Sequence, residues 1–334
     1  MSRDSFPENI EKSLDFELAK PTRIHPLISR TDGNLWIKRE DELSGAIAGS
    51  KLRKYASLIP ILKSKKIKQV GIIGGSSSNN VIGLIQMLRE CSIKPIVFIR
   101  EAGNPKLQGN SLFLSMLTLE DEVQLIPRQD WEKVEAIAKE YMDLNFPKDL
   151  NWVLKEGCFG AESLLGALTL ASDVIRNQKE SNLEFGRIYI DCGSGLSAIA
   201  LILGLEYLLD RSLKSPEVVI TLIAERESKF LEKLETMRIL MRNYNFNPPA
   251  HLGFRFLKPT ISPKFGSCNQ SLLNACCQIA KKEGLLMDPV YSVKHFMTMQ
   301  QDLKDSTLTK PALFIFNGSA LGLAGFQDSL VEVV

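Results

Sequence analysis

The chain contains no apolar run that approaches a membrane span. Its longest, Ala198 to Leu205, is far short of the ~20 residues a spanning helix needs. Its first residues, MSRDSFPENIEKSLD, are polar and acidic and fit neither a secretory signal nor a transit peptide. Cysteine is sparse, with 6 residues and no CxxC pair, and the 3 histidines (25, 251 and 295) lie far apart. That spacing supports neither a zinc site nor a disulfide framework. Charge of one sign is missing too. Against 41 Lys+Arg stand 39 Asp+Glu, a formal net charge of +2, so no dense basic stripe is present to neutralise a nucleic-acid backbone. Lys63–Ser64–Lys65–Lys66 reads as a solvated loop. The common hydrolase signatures (a G-x-S-x-G elbow, a Walker loop, HExxH) do not occur. The expectation is a reduced, cytoplasmic, metal-independent protein with no nucleic-acid or membrane partner.

What is present is ordinary in bulk and patterned in detail. At 334 residues, with 44% hydrophobic and 24% charged residues, the chain has length for roughly two domains. Short Val/Ile-rich runs alternate with helical patterns. Strands are expected at 35–37, 69–73, 95–99, 123–126, 152–154, 187–192, 218–224, 253–257 and 312–316. Helices are expected at 81–90, 131–143, 162–178, 197–209, 228–243 and 271–283. Runs such as PIVFI and VVITLIA are apolar on both faces, as parallel strands covered on both sides require. The class is α/β with open, doubly wound parallel sheets. No repeat, low-complexity segment or Gly/Ser linker marks a boundary. The segment before residue 50 is expected to wrap back onto the later part of the chain.

Three Gly/Ser-rich turns follow strands: GGSSSNN (Gly74–Asn80), GSGLSA (Gly193–Ala198) and NGSALG (Asn317–Gly322). In open α/β sheets ligands collect at such turns, where helix N-termini offer N–H groups and a positive dipole end. Glycine admits close approach of backbone to an anion, and serine adds hydroxyl donors, so GSGLSA reads as a phosphate cup. It also fits the dinucleotide fingerprint G-x-G-x-x-A, with Glu225 as a ribose partner, which leaves a nicotinamide-dependent oxidoreductase open. The first turn gathers neutral donors suited to a substrate carboxylate, or simply an N-cap for the next helix. In AGSKLRKY, Lys51 and Lys54 stand one helical turn apart beside Arg53, a setting that lowers an amine pKa as a Schiff-base lysine needs.

The series IKREDELSGAIAGSKLRKYASLIP, GIIGGSSSNN, GSGLSA, MDPVYSVKHF and LFIFNGSALGLAGF resembles the pyridoxal-phosphate enzymes of fold type II. It is most similar to their D-cysteine desulfhydrase / 1-aminocyclopropane-1-carboxylate deaminase group, from about residue 21 to 326. The resemblance implies two open twisted parallel-sheet domains of the tryptophan synthase β type, with the cofactor in the cleft between them. Residues 53–162 would form a smaller domain inserted into a larger one of residues 1–52 and 163–334. It implies that Lys51 binds pyridoxal phosphate covalently, with Lys54 beside it, and that Gly193, Ser194, Gly195, Leu196 and Ser197 cradle the phosphate. Asn79 would sit by the ring oxygen, and Ser77, Ser78, Asn79 and Asn80 would face the substrate carboxylate. Ser78 is also an acid/base candidate. Tyr291 would stand at the substrate end with Phe265, and Ser292 and Asn317 near the ring nitrogen.

Several positions depart from the family. An acidic residue follows the DPVY tyrosine in the cyclopropane deaminases, and Ser292 stands there. A leucine in those deaminases, or a threonine in the desulfhydrases, is replaced by Asn317. Ser50 occupies an asparagine position and Phe265 a tyrosine position, and EGCFGAES is irregular. Neutral Ser292 and Asn317 are expected to leave the ring nitrogen less protonated, which favours β-elimination. The expected activity is conversion of D-cysteine to pyruvate, ammonia and sulfide by a homodimer. The alternatives are deamination of 1-aminocyclopropane-1-carboxylate to 2-oxobutyrate, and a cofactor-binding homologue with little or no turnover.

Overall fold

The strand-forming runs separate into two sheets. In a computed structural model, all residues are described except 1–5, 29–33, 48, 102–106, 210–214, 248–251, 305–307 and 319. Ala48, His251 and Ser319, named above, therefore lie outside the described residues. The strands are β1 (Ile24–Pro26), β2 (Leu35–Arg39), β3 (Gln69–Gly74), β4 (Lys94–Arg100), β5 (Val123–Ile126), β6 (Asn151–Leu154), β7 (Arg187–Cys192), β8 (Glu217–Leu222), β9 (Phe254–Leu257) and β10 (Ala312–Phe316). The larger sheet runs β1-β2-β10-β7-β8-β9 and the smaller β5-β4-β3-β6. The smaller sheet is wholly parallel. The larger departs from the all-parallel expectation at one edge, where β1 pairs antiparallel with β2. β1 is three residues long and ends on Pro26, both devices that blunt a sheet edge.

As expected, the segment before residue 50 returns to the later part of the chain, with β2 in parallel register beside β10 (Ala312↔Leu35). The central residues of β7 and β8 are buried and mostly apolar, and the helix Leu196–Leu208 behind them is buried along almost its whole length. The expected single helix over 162–178 is two helices, Ala161–Ala167 and Thr169–Ser181. The Ser57 hydroxyl is inserted into the backbone ladder here. It donates to Glu162 O, and Gly166 N donates to it at 2.8 Å, so the 166-to-162 bond is replaced. Thr169 Oγ1 also takes Gly166 O at 2.6 Å. A β-carbon on Gly166 would lie 2.1 Å from Arg53 O, so only glycine lets this helix cross Lys51–Ser64 so closely.

Beneath that crossing is a buried charge cluster. Glu40 Oε2 accepts from Arg53 Nε at 2.6 Å, and Asp173 Oδ2 accepts from Arg53 Nη2 at 2.6 Å and Lys38 Nζ at 2.7 Å. Thr22 Oγ1 donates to Glu40 Oε1 at 2.7 Å and Asn177 Oδ1 accepts from Lys38 at 2.7 Å, so the cluster is closely satisfied. It ties β2, the Lys51 helix and the helix Thr169–Ser181 into one body.

Candidate active site

Lys51 opens the helix Lys51–Ser64, and the chain entering it is tightly held. A β-carbon on Gly49 would sit 2.2 Å from Asn317 O, and Ser50 N donates to that same carbonyl at 3.4 Å. The residue after β10 is thereby brought against the start of the Lys51 helix. Burial lowers the Lys51 amine, with Asp191 and Asp288 pulling the other way. Lys54 is brought down to about 8, first by burial and then by the charge of Lys51, with Cys158, Cys192 and Asp191 opposing.

The turn after β7 is built as a cradle. Gly195 has φ +97°, which favours glycine, and no side chain caps the helix that begins at Leu196, so its first-turn amides are available to a ligand. The turn is clamped from two directions. Gly157, at φ +70°, lies so close that a β-carbon would stand 2.5 Å from Ser194 Cβ and Oγ. From the other side Lys233 Nζ donates to Ser194 O at 3.0 Å and pairs with Glu225. Glu225 is thus committed to an ion pair, which leaves the ribose-partner role without support. A β-carbon on Gly193 would meet the Tyr291 ring at 3.2 Å, so the tyrosine lies over the start of the cradle.

The turn after β3 supplies donors. Ser78 is the N-cap of the helix Asn79–Glu90, its Oγ accepting from Val81 N at 3.4 Å, which leaves its O–H to donate elsewhere. Asn110 Nδ2 donates to Asn79 Oδ1 at 2.7 Å and to Ser77 O at 3.0 Å, so the Asn79 amide is turned with its NH2 group the other way. Asn80 is turned into the interior. Its Nδ2 donates to Cys158 Sγ at 3.2 Å, and Tyr55 Oη donates to its carbonyl at 3.0 Å.

Asp288 organises the DPVY segment. Its Oδ1 accepts from Val290 N and Tyr291 N at 2.9 and 2.8 Å, and its Oδ2 accepts from the Ser292 hydroxyl at 2.8 Å. Burial, then Asp288 and Asp191, raise Tyr291, so it remains a neutral phenol. Phe265, 50% exposed, packs edge-on against Tyr291 at 5.7 Å between centroids and forms one wall of an open groove of about 930 Å³ beyond the ends of β8 and β9. Asn317 Nδ2 donates to Asp191 Oδ1 at 2.5 Å.

Lys51, Lys54, the cradle, Tyr291 and Asn317 therefore gather where the strand ends of the two sheets meet. Sequence reasoning missed Asp191, Asp288, Asn110 and Lys233. Two carried a signal: Asp191 is the one acid in the run IYIDC, and Asp288 stands inside the DPVY motif.

The chain is similar to known proteins over nearly its whole length. The profile of the family described as pyridoxal-phosphate dependent enzyme matches residues 17–318. A Thermotoga maritima protein, provisionally named a 1-aminocyclopropane-1-carboxylate deaminase, is 27% identical over 93% of this chain and 98% of its own. A protein of Serratia proteamaculans named D-cysteine desulfhydrase is 24% identical over 94% of each chain. Among solved structures, one described as an ACC deaminase homologue superposes with a TM-score of 0.81, covering 98% of this chain and all of that one at 21% identity.

Proposed function

The chain belongs to the pyridoxal-phosphate dependent enzymes, and we propose that it catalyses α,β-elimination from a small amino acid, D-cysteine first, giving pyruvate, ammonia and sulfide. The observation that carries this reading is Lys51, a half-buried residue at the head of its helix whose amine is lowered by desolvation. Such a lysine has a neutral share able to take a proton from a substrate carbon. The residues fit the cofactor: a glycine cradle with uncapped amides for a phosphate, the buried Lys54 next to it, and a buried Asn317 Oδ1 with no hydrogen-bond partner among the described residues. When bound, pyridoxal phosphate supplies an electron sink that acidifies the substrate Cα–H.

The remaining steps belong to the chain. The amides of Gly193–Ser197 and Lys54 hold the phosphate, and Lys51 moves the Cα proton. Ser78 O–H and Asn79 Nδ2, turned outward by their partners on the other side, hold the substrate carboxylate. Tyr291, a neutral phenol, offers a hydrogen bond to the departing group. D-cysteine is favoured because a thiolate leaves with its own charge and needs little help, whereas cyclopropane opening breaks a carbon–carbon bond.

The purified protein should show the visible band of a lysine-linked cofactor, absent in Lys51→Ala. A panel of D- and L-amino acids should yield pyruvate and sulfide from D-cysteine. Formation of 2-oxobutyrate from 1-aminocyclopropane-1-carboxylate, with no pyruvate from D-cysteine, reverses the substrate assignment. A coloured protein that yields no product overturns the activity.

A further inference from the structure

The Asn317 amide is fixed by what lies behind it. Its Nδ2 donates to Asp191 Oδ1 at 2.5 Å, and a carboxylate oxygen can only accept, so the amide nitrogen faces Asp191 and the amide oxygen faces away. That oxygen is buried and has no hydrogen-bond partner among the described residues, and a buried carbonyl calls for a donor. Ser292 has the same polarity, because its hydroxyl proton is given to Asp288 Oδ2 at 2.8 Å and only lone pairs remain. Both residues assigned to the ring nitrogen thus present acceptors, each backed by a carboxylate. An unprotonated pyridine nitrogen is itself an acceptor and satisfies neither, whereas a protonated one is a donor.

We propose that Asp191, through Asn317, holds the cofactor's ring nitrogen in its protonated form, and that Asp191 is a positioning residue of the site. The inference rests on the cofactor reading above and deepens it. It also corrects the expectation that neutral Ser292 and Asn317 leave the ring a weak electron sink. Their neutrality matters less than the direction in which Asp191 and Asp288 turn them. The preference for D-cysteine then rests on its leaving group and no longer on a weak sink.

Asp191 is suited to the role by its surroundings. It lies on β7, two residues before the cradle, and its Asn317 partner directly follows β10, the neighbouring strand. Lys51 and Lys54 face it from the first turn of their helix, and Tyr291 feels its charge. Burial leaves the Asp191 carboxyl raised, with the Asn317 hydrogen bond and the two lysines opposing it in part.

The test loads the protein with pyridoxal phosphate labelled with nitrogen-15 in the ring and records its resonance by NMR. Asp191→Asn keeps the shape and removes the charge, and Asn317→Leu removes the acceptor. Thermal midpoints of the cofactor-free proteins verify folding. The wild-type resonance should fall in the pyridinium range and move to that of unprotonated pyridine in both variants, while the lysine-linked absorption persists. An unprotonated wild-type resonance overturns the proposal without any variant, as does a pyridinium resonance that Asp191→Asn leaves in place. Absence of lysine-linked absorption in the wild type instead overturns the cofactor reading, and this inference with it.

Discussion

Replacing Glu40 by glutamine probes the buried charge beneath Lys51. The carboxylate grips Arg53 with both oxygens, at 2.6 and 2.8 Å, accepts from Thr22 at 2.7 Å and lies 3.7 Å from Lys38. Without its charge, two buried cations share Asp173. A pair about 4 Å apart at an effective dielectric of about 20 is worth about 4 kcal/mol, and breaking one member of a buried pair costs about 3–5 kcal/mol. At roughly 2–3 °C per kcal/mol for a long chain, the thermal midpoint should fall by about 6–15 °C. Burial raises the Glu40 carboxyl, but Arg53, Lys38 and the Thr22 hydroxyl outweigh it and leave it lowered, and Asp173 is held at about 2. A depressed carboxylate stabilises the fold above its unfolded value and loses that contribution as pH falls through the folded one. The gap between wild type and Glu40→Gln should therefore be full at pH 7 and close as the pH falls below the ordinary carboxylate range. Calorimetric scans across this range decide it. A variant within about 2 °C of wild type at pH 7, or a gap that ignores pH, refutes the reasoning.

Gly157→Ala puts a β-carbon 2.5 Å from Ser194 at φ +70°; a left-handed alanine costs about 1–2 kcal/mol. With the cradle displaced as well, cofactor affinity should fall about 10–30-fold by spectroscopic titration, and an unchanged constant removes the clamp. Lys54, at about 8 in the free protein, is a cation disfavoured by burial, so the cofactor-free fold gains stability as pH rises from about 8 towards 10.5. A bound phosphate reverses that disfavour. Binding at about pH 8–9 should therefore take up a proton that Lys54→Met does not, read by calorimetry in two buffers of different ionisation enthalpy. Identical proton counts for the two proteins would show that Lys54 does not meet the phosphate.

Local chemistry was legible in the sequence and partner-dependent chemistry was not. The glycine turns, Lys51 and most strands announce themselves because each is decided within a few residues by glycine's freedom, alternation or an apolar run. The strands 123–126, 187–192 and 312–316 fall where the pattern puts them. The break between Ala167 and Thr169 is invisible because its cause is Ser57, more than 100 positions earlier, entering another helix's ladder. Asn80 has the composition of a cleft donor but faces inward, because Tyr55 and Cys158 satisfy it. The polarity of Asn317 depends on an acid 126 residues away.

The same distinction explains the first turn of the Lys51 helix, where Lys51, Arg53 and Lys54 set three cations at the positive end of a helix dipole. An arrangement like that is unfavourable unless anions meet it. Arg53 is met permanently by Glu40 and Asp173, which raise it strongly against its burial. Lys51 and Lys54 are left depressed by theirs, with only the fields of Asp191, Asp288 and two thiols in opposition. The protein thus satisfies one of the three internally and holds the other two at a cost that an anionic ligand relieves. Binding of a phosphate beside them gains the ordinary attraction and also removes an existing penalty. A chain that is nearly neutral overall can therefore hold a highly charged cofactor tightly without a basic surface.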